Sequence, residues 1–330
     1  MGRWEHRLAN HDTNRVVRPF DWGWEWLEGV EVNGHPVKSL EAYSERMAAR
    51  SEDFFSYSAP RHFELTGGTL QFSSPLQTPH ERNNTVYADY FPSPRADGRA
   101  VLVLPQWNSD SRSHVGLCKL LNRFGISALR LSLAYHDRRM PPELQRADYH
   151  MSSNLGRTIH ATRQSVVDGR ACLDWLSARG YQRLGIIGTS LGSCISLLIT
   201  AHDTRIRSGV FNHVSMNVGE VVWSGVSCRH IKKSLAEHVS EEQLVRCFSV
   251  ISPSSYLDRL VGRNLPALLV WASHDTTFLP QYSRNVLDAF RLLGLPHKSM
   301  CLPCGHYTSG KMPFALWDGV AIARFLRNTL

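Results

Sequence analysis

A serine between two glycines lies near the middle of the chain, in the segment Gly-Thr-Ser-Leu-Gly at residues 188–192. An apolar run precedes it and an apolar pattern typical of a helix follows it, so Ser190 is predicted at a strand-to-helix turn. In such a turn the serine backbone is strained, and glycine two residues before and after it removes a collision. The hydroxyl would then project from the edge of a sheet. This placement indicates a nucleophile.

A serine nucleophile needs a histidine that takes its proton and a carboxylate that orients that histidine. Asp275 follows a predicted strand within a polar loop, and His306 follows the last predicted strand and precedes the closing helix. We therefore expect His306 as the base and Asp275 as the acid. Glu220, which follows the preceding predicted strand, stays open as an alternative acid.

The tetrahedral intermediate of acyl transfer carries an oxyanion, which backbone NH groups can stabilise. The first expected donor is the NH of Leu191, directly after the serine. The second should come from the loop after the first buried strand, from Trp107 or else from Gln106. We expect the side chains of Trp107, Tyr135 and Trp223 to contribute to an apolar acyl pocket.

From residue 61 onward, short apolar runs alternate with amphipathic stretches, which predicts a mostly parallel sheet with helices on both faces. The strands are predicted near residues 63–72, 85–90, 100–104, 126–133, 183–188, 205–212, 266–272 and 298–302. Helical signals replace the strand pattern between residues 214 and 261, which predicts a small helical cap inserted over the site. We therefore divide the chain into an N-terminal arm, a catalytic domain and this cap, at residues 1–60, 61–213 with 262–330, and 214–261.

Composition narrows the class of protein. The 330 residues are 42% hydrophobic and 20% charged, as is typical of a globular protein in water. No apolar run approaches the roughly 18 residues that span a bilayer, so no membrane span is expected. The net charge of +8 is scattered rather than gathered into a basic stripe, so nucleic acid is not an expected partner. Seven cysteines, mostly in apolar stretches, favour a reducing cytoplasm.

A metal site is the main competing chemistry. Cys301 and Cys304 form a Cys-x-x-Cys pair close to the candidate base, but a structural zinc site would normally need a second close pair. The weak candidate for that pair is Cys228 with His230. Phosphate-binding and dinucleotide-binding glycine loops are also missing from the sequence. We therefore expect neither a metal nor a cofactor.

The elbow at Ser190, the later Asp275 and His306, and the order of strands and helices around them resemble the α/β-hydrolase superfamily over residues 61 to 330. The His-Gly pair common in the oxyanion loop of that superfamily is replaced here by Pro105 and Gln106. The resemblance implies hydrolysis of a small-molecule ester, a thioester or, less often, an amide through an acyl-enzyme, without a cofactor. Acyl transfer on the same triad, and a non-catalytic binding module that kept the fold, remain alternatives.

Overall fold

The computed structural model describes residues 1–11 and 14–330. Within these residues, nine strands form one sheet. They are β1 (Glu64–Thr66), β2 (Thr69–Ser73), β3 (Thr85–Phe91), β4 (Arg99–Leu104), β5 (Ser127–Leu131), β6 (Arg183–Thr189), β7 (Ile206–Asn212), β8 (Ala267–Ala272) and β9 (His297–Leu302). Their order across the sheet is β1-β2-β3-β5-β4-β6-β7-β8-β9.

The sheet is antiparallel at one edge and parallel through the rest. The strands β1, β2, β3 and β5 pair antiparallel, and the pairs from β5 through β4 and β6 to β9 are parallel. Central parallel strands are buried on both faces, and every residue of β4 after Arg99 is buried. The parallel strands all end at one edge of the sheet. The loops that follow β4, β6, β8 and β9 therefore meet there.

Helices cover both faces of the sheet. They are α1 (Gly2–Ala9), α2 (Pro36–Ala49), α3 (Ser51–Phe54), α4 (Val115–Arg123), α5 (Leu155–Ala178), α6 (Leu191–His202), α7 (Val218–Ser224), α8 (Arg229–Leu235), α9 (Glu241–Cys247), α10 (Pro280–Leu292) and α11 (Phe314–Thr329). Buried side chains of α5, α6 and α10 belong to one hydrophobic cluster, and those of α4 and α11 to another. The predicted architecture, a mostly parallel sheet between two layers of helices, is confirmed. Among the described helices, none combines the length and apolar character that crossing a bilayer requires.

Several predicted boundaries differ from the observed ones, and two of them show why. The apolar pattern predicts a helix over residues 158–178, but this helix begins at Leu155, because the side chain of Asn154 accepts a hydrogen bond from the NH of Arg157 at 2.8 Å and caps it. The strand predicted to reach residue 133 ends at Leu131. Local capping and the end of strand pairing, which the apolar pattern does not encode, set both limits.

The segment after β7 is helical. Helix α7 approaches α9 so closely that a Cβ on Gly219 would lie 2.7 Å from the Cα of Val245. Helix α9 also meets the N-terminal part of the chain, where Arg246 Nε donates to Glu41 Oε1 at 2.7 Å. The division into arm, catalytic domain and cap at residues 60, 213 and 261 stays a prediction.

The aromatic residues of the N-terminal segment pack on the rest of the chain. The ring of Phe20 stacks on His238, with centroids 4.0 Å apart, and Trp22 meets Phe20 edge-on at 4.9 Å. Trp26 stacks on His80 at 6.0 Å. Aromatic residues occupy alternate positions here, at Phe20, Trp22, Trp24 and Trp26. The contacts make hydrophobic packing the simplest account of this pattern.

The crossing of β6 and α6 leaves no room for side chains at two glycines. A Cβ on Gly188 would lie 2.1 Å from the carbonyl oxygen of Gly192, and a Cβ on Gly192 would lie 2.2 Å from that of Leu104. Because both obstacles are backbone atoms, we expect Gly192→Ala to lower the free energy of unfolding by about 2–4 kcal/mol in urea titrations. Gly116→Ala is the control, since no atom lies within 4 Å of its new Cβ. Equal stability of the two variants would contradict this account.

Candidate active site

Ser190 lies in a strained turn between β6 and α6. Its φ of 58° and ψ of −121° fall in a region that non-glycine residues rarely adopt. Strain of this kind costs on the order of 1–3 kcal/mol and persists only where the surroundings impose it. Here the NH of Ser190 donates to the carbonyl of Asn212 at 2.8 Å, and Ser193 donates its NH to the carbonyl of Ser190 at 2.8 Å. The chain is thus fixed on both sides of the serine.

The structure brings Ser190, His306 and Asp275 together. Ser190 Oγ lies 3.0 Å from His306 Nε2, and His306 Nδ1 lies 2.9 Å from Asp275 Oδ2. Since Nδ1 faces a carboxylate it carries the proton, which leaves Nε2 to accept from the serine hydroxyl. Glu220 lies elsewhere, half-buried on α7, where its Oε1 accepts from Asn217 Nδ2 at 3.0 Å.

Asp275 is a buried carboxylate that four N–H groups approach. Its Oδ1 accepts from the backbone NH groups of Thr277 and Phe278, at 2.8 and 2.7 Å. Its Oδ2 faces His306 Nδ1 at 2.9 Å and His213 Nδ1 at 2.8 Å. Burial alone would raise the pKa of Asp275, but the two imidazoles outweigh burial and hold that pKa well below its ordinary value. The group therefore stays ionised next to the candidate base.

His306 is set up to be a stronger base than an ordinary imidazole. Burial lowers its pKa, but the charge and hydrogen bond of Asp275, with a smaller contribution from Glu5, raise the pKa above 6.5 overall. Phe278 stacks on the ring, with centroids 5.4 Å apart and planes 6° from parallel. This stacking fixes the plane in which Nε2 meets the serine.

The residues expected to supply oxyanion donors follow the serine or line its cavity. Leu191 is the first residue of α6, and the opening NH groups of a helix have no acceptor within it. The loop after β4 passes beside this turn, and Gln106 and Trp107 line the cavity that contains Ser190. The indole Nε1 of Trp107 donates to the carbonyl of Ala147 at 3.0 Å, which anchors its ring in the wall.

A cavity of about 1010 Å³ opens at Ser190 and His306. Much of its wall is apolar, formed by Trp107, Met151, Leu191, Cys194, Val218, Val221, Val222, Cys228 and Phe278. Three of these residues belong to α7, so the helical segment after β7 forms part of the wall. An apolar wall of this size suits an acyl group.

Two side chains expected in the acyl pocket lie elsewhere. Tyr135 is fully buried, its NH donates to Asn83 Oδ1 at 2.7 Å, and its hydroxyl lies 3.3 Å from His80 Nδ1. Trp223 lies under Lys232, whose Nζ is 4.7 Å from the ring centroid. Neither is among the described residues that line the cavity. On α7 successive side chains point about 100° apart, so the valine before Trp223 can face the cavity while Trp223 does not.

Two residues at the site have no counterpart in the sequence interpretation. His213 shares Asp275 Oδ2 with His306, and its position directly after β7 was the available signal. Glu5 of α1 is fully buried against the loop that carries His306, where its carboxylate accepts from the NH groups of Tyr307 and Thr308 at 3.0 Å each. About three hundred residues separate these partners, and no local pattern marks the pairing.

Three potential metal ligands, His213, Asp275 and His306, lie close together, with donor atoms within 4.8 Å of one another. The hydrogen bonds from both imidazoles to the carboxylate account for this arrangement without an ion. Of the Cys-x-x-Cys pair, Cys301 is exposed and Cys304 is buried. Burial raises the pKa of the Cys304 thiol to about 12, which opposes the thiolate form that binds zinc.

Comparison with solved structures identifies this arrangement of strands. Acetyl xylan esterase 1 from Thermoanaerobacterium sp. JW/SL YS485 matches with a TM-score of 0.63 at 14% identity, over 98% of each chain. Acetyl xylan esterase from Paenibacillus sp. R4 matches with a TM-score of 0.61 at 15% identity, over 98% of this chain and 99% of that one. The chain has the α/β-hydrolase fold.

Other comparisons add little about the activity of this α/β-hydrolase fold. The acylaminoacyl peptidase of Pyrococcus horikoshii matches with a TM-score of 0.62 at 13% identity, over 82% of this chain and 42% of that chain. No protein-family model matches, and no curated protein sequence matches. The resemblance found in the sequence is confirmed at the level of the fold, and arguments about activity rest on the site itself.

Glu5 should matter for reactivity although it lies outside the predicted catalytic domain. Glu5→Gln replaces an acceptor oxygen with an amide that donates, opposite the NH groups of Tyr307 and Thr308. We expect the loop to shift and the rate of Ser190 labelling by a fluorophosphonate to fall about 10- to 100-fold. Glu45→Gln, at an exposed position of α2, is the control. A labelling rate equal to that of the wild type would refute a role for Glu5.

Proposed function

We propose that this protein is a serine hydrolase that cleaves a carboxylic ester or thioester through an acyl-enzyme on Ser190. The observation that carries the proposal is the continuous hydrogen-bonded chain from Ser190 Oγ through His306 to Asp275, at 3.0 and 2.9 Å. This chain opens on the cavity described above. Nucleophile, base and orienting acid in hydrogen-bond contact are what covalent acyl transfer requires.

In the first half of the proposed reaction, Ser190 Oγ attacks the carbonyl carbon while His306 Nε2 takes the hydroxyl proton. The imidazolium that forms is stabilised by the ionised Asp275. The NH of Leu191, with that of Trp107 or Gln106, holds the oxyanion. When the tetrahedral intermediate collapses, the bond to the leaving group breaks and His306 returns the proton to the departing oxygen or sulfur.

In the second half, a water molecule takes the place of the leaving group. His306 Nε2 accepts a proton from the water as its oxygen attacks the acyl carbon, and the same NH groups hold the second oxyanion. Collapse breaks the bond to Ser190 Oγ, which takes the proton back. The products are the free acid and the regenerated serine.

The wall of the cavity favours a small-molecule ester with an apolar acyl portion. Valines of α7 and the ring of Trp107 offer dispersion contacts to such a group. Cleavage of an amide is the second candidate activity, because a neighbour in the structural comparison is a peptidase. We extend the proposal to a protein of the reducing cytoplasm, which the free cysteines of the described chain suit.

Removing the nucleophile provides the direct test. Ser190→Ala should lower turnover of activated acyl esters by about 10⁴-fold or more, because no other group replaces the attacking oxygen. Mass spectrometry of wild-type protein treated with a fluorophosphonate should find the adduct on Ser190, and the variant should carry none. Ser113→Ala is a useful control, since this serine also lines the cavity but its hydroxyl donates to Asp110 and not to a residue of the proposed triad. An unlabelled wild type that nevertheless binds a ligand tightly would favour a binding module.

The identity of the acid predicts unequal effects of two isosteric changes. Asp275→Asn removes the charge that raises the pKa of His306 and should reduce turnover by about 10³- to 10⁴-fold. Glu220→Gln should leave it within about threefold, since Glu220 contacts Asn217 instead. The reverse ranking would assign the acid to Glu220.

The sign of the pH dependence follows from the same contact. In the wild type the working base is neutral His306, and Asp275 raises its pKa. A pH profile of ester turnover should therefore lose activity on acidification at a higher pH than an ordinary imidazole would give.

A further inference from the structure

Asp275 has a second imidazole partner, which the proposed reaction does not use. His213 Nδ1 lies 2.8 Å from Asp275 Oδ2, the same oxygen that faces His306 Nδ1 at 2.9 Å. His213 is 2% exposed, and the two imidazole rings have centroids 4.7 Å apart. A carboxylate oxygen has two lone pairs, so two N–H groups fill Oδ2 completely.

The other nitrogen of His213 is also engaged. Its Nε2 lies 2.9 Å from Ser309 Oγ, and Ser309 Oγ donates to the carbonyl oxygen of His306 at 2.8 Å. A hydroxyl has one proton, so both contacts can be hydrogen bonds at once only when Nε2 also carries a proton. Ser309 therefore orients His213 and connects it to the backbone of the catalytic loop.

The backbone of His213 is held in an uncommon conformation. Its φ is +54°, in the left-handed region that favours glycine and asparagine. Its NH donates to the carbonyl of Val270 at 2.8 Å, and its carbonyl accepts from Ser193 Oγ at 3.1 Å. The conformation aims the imidazole at Asp275, and strain of this kind at an active site is a sign of function.

We propose that His213 is a positioning residue that fixes the Asp275 carboxylate through Oδ2 and, by drawing on the charge of that oxygen, lowers the proton affinity of His306. The inference rests on the proposed function, because it concerns the base of that reaction. It does not make Ser309 a second nucleophile, since the hydroxyl proton of Ser309 is directed to a backbone carbonyl.

The first effect of His213 is on the orientation of the Asp275 carboxylate. Backbone NH groups hold Oδ1, and they leave the carboxylate able to pivot about that oxygen. The N–H of His213 gives Oδ2 a second fixed contact next to that of His306, which opposes this motion. Because a general base works only when it is aligned with the nucleophile, a fixed Oδ2 is needed to hold the His306 ring against Ser190.

The second effect of His213 is on the charge of Asp275, and the direction of the resulting change in the pKa of His306 is defined. The negative charge of Asp275 raises the pKa of His306. A second N–H donor on the same oxygen spreads that charge, so its removal should raise the pKa of His306 further.

A further ionisable group near His213 lies on the closing helix α11. Asp318 of α11 interacts electrostatically with His213. Burial raises the pKa of Asp318 to about 6, although His213 and a hydrogen bond from Asn212 act in the opposite direction. Asp318 thus loses its negative charge on mild acidification.

The test measures the rate of Ser190 labelling by a fluorophosphonate as a function of pH, which reports the base without a known substrate. For His213→Ala we expect the midpoint of the acidic limb to rise by about 0.5 to 1 pH unit. His213→Asn tolerates a positive φ and keeps an N–H donor at about the reach of Nδ1. We expect it to restore at least half of the shift.

His202→Gln is the matched control, because His202 is a buried histidine whose Nδ1 hydrogen-bonds a backbone carbonyl, that of Leu198, at 2.8 Å. Its midpoint should equal that of the wild type. A midpoint for His213→Ala within about 0.2 unit of the wild type, or below it, would overturn the proposal even if the rate fell uniformly, since a uniform loss indicates a structural role alone.

Proton NMR supplies a second readout that remains available if His213→Ala does not fold. The wild type should show two strongly deshielded imidazole N–H signals, one from each histidine on Asp275, and His213→Asn should show one. A single signal in the wild type would overturn the proposal. Absence of Ser190 labelling at every pH would instead refute the proposed function, so the two failures are distinguishable.

Discussion

The geometry of the site depends on one buried carboxylate. Asp275 is ionised where burial disfavours charge, because two backbone NH groups and two imidazoles surround it. A buried carboxylate without such partners would take up a proton and lose its hold on His306. The donors come from the loops after β7, β8 and β9. These three neighbouring strands must therefore pair correctly before the charge of Asp275 is stabilised. The fold and the chemistry are linked at this point.

Much of the site can be predicted from the sequence where the signal is local. The glycines around Ser190 encode a turn that excludes side chains, because a Cβ at Gly188 or Gly192 would lie 2.1 or 2.2 Å from a backbone oxygen. Asp275 and His306 could be selected among many alternatives because they follow predicted strands, and parallel strands deliver their following loops to one edge. Periodicity likewise indicated the sheet and the helices on both of its faces.

The rest could not be predicted, because it depends on contacts between distant segments. Glu5 lies 302 residues before Tyr307, and nothing in its own surroundings distinguishes it from a solvent-facing carboxylate of a short helix. Tyr135 was expected in the pocket as an aromatic residue, but it is fully buried away from the cavity, where its NH donates to Asn83 Oδ1. Which face of α7 lines the cavity depends on the rotation of that helix, which tertiary packing sets.

Two buried carboxylates hold the loop after β9, which carries His306, in different ways. Glu5 accepts hydrogen bonds from the backbone NH groups of Tyr307 and Thr308. These NH groups keep their protons whatever the charge of His306, so they hold the loop in the same place in either state. Asp275 accepts from Nδ1 of two imidazoles, and one of these, His306, gains and loses a proton at Nε2 in the proposed reaction. Glu5 thus fixes where the loop lies, and Asp275 fixes which nitrogen of His306 carries the proton. In the proposed reaction, this division lets His306 gain and lose a proton while the loop that carries it stays in place.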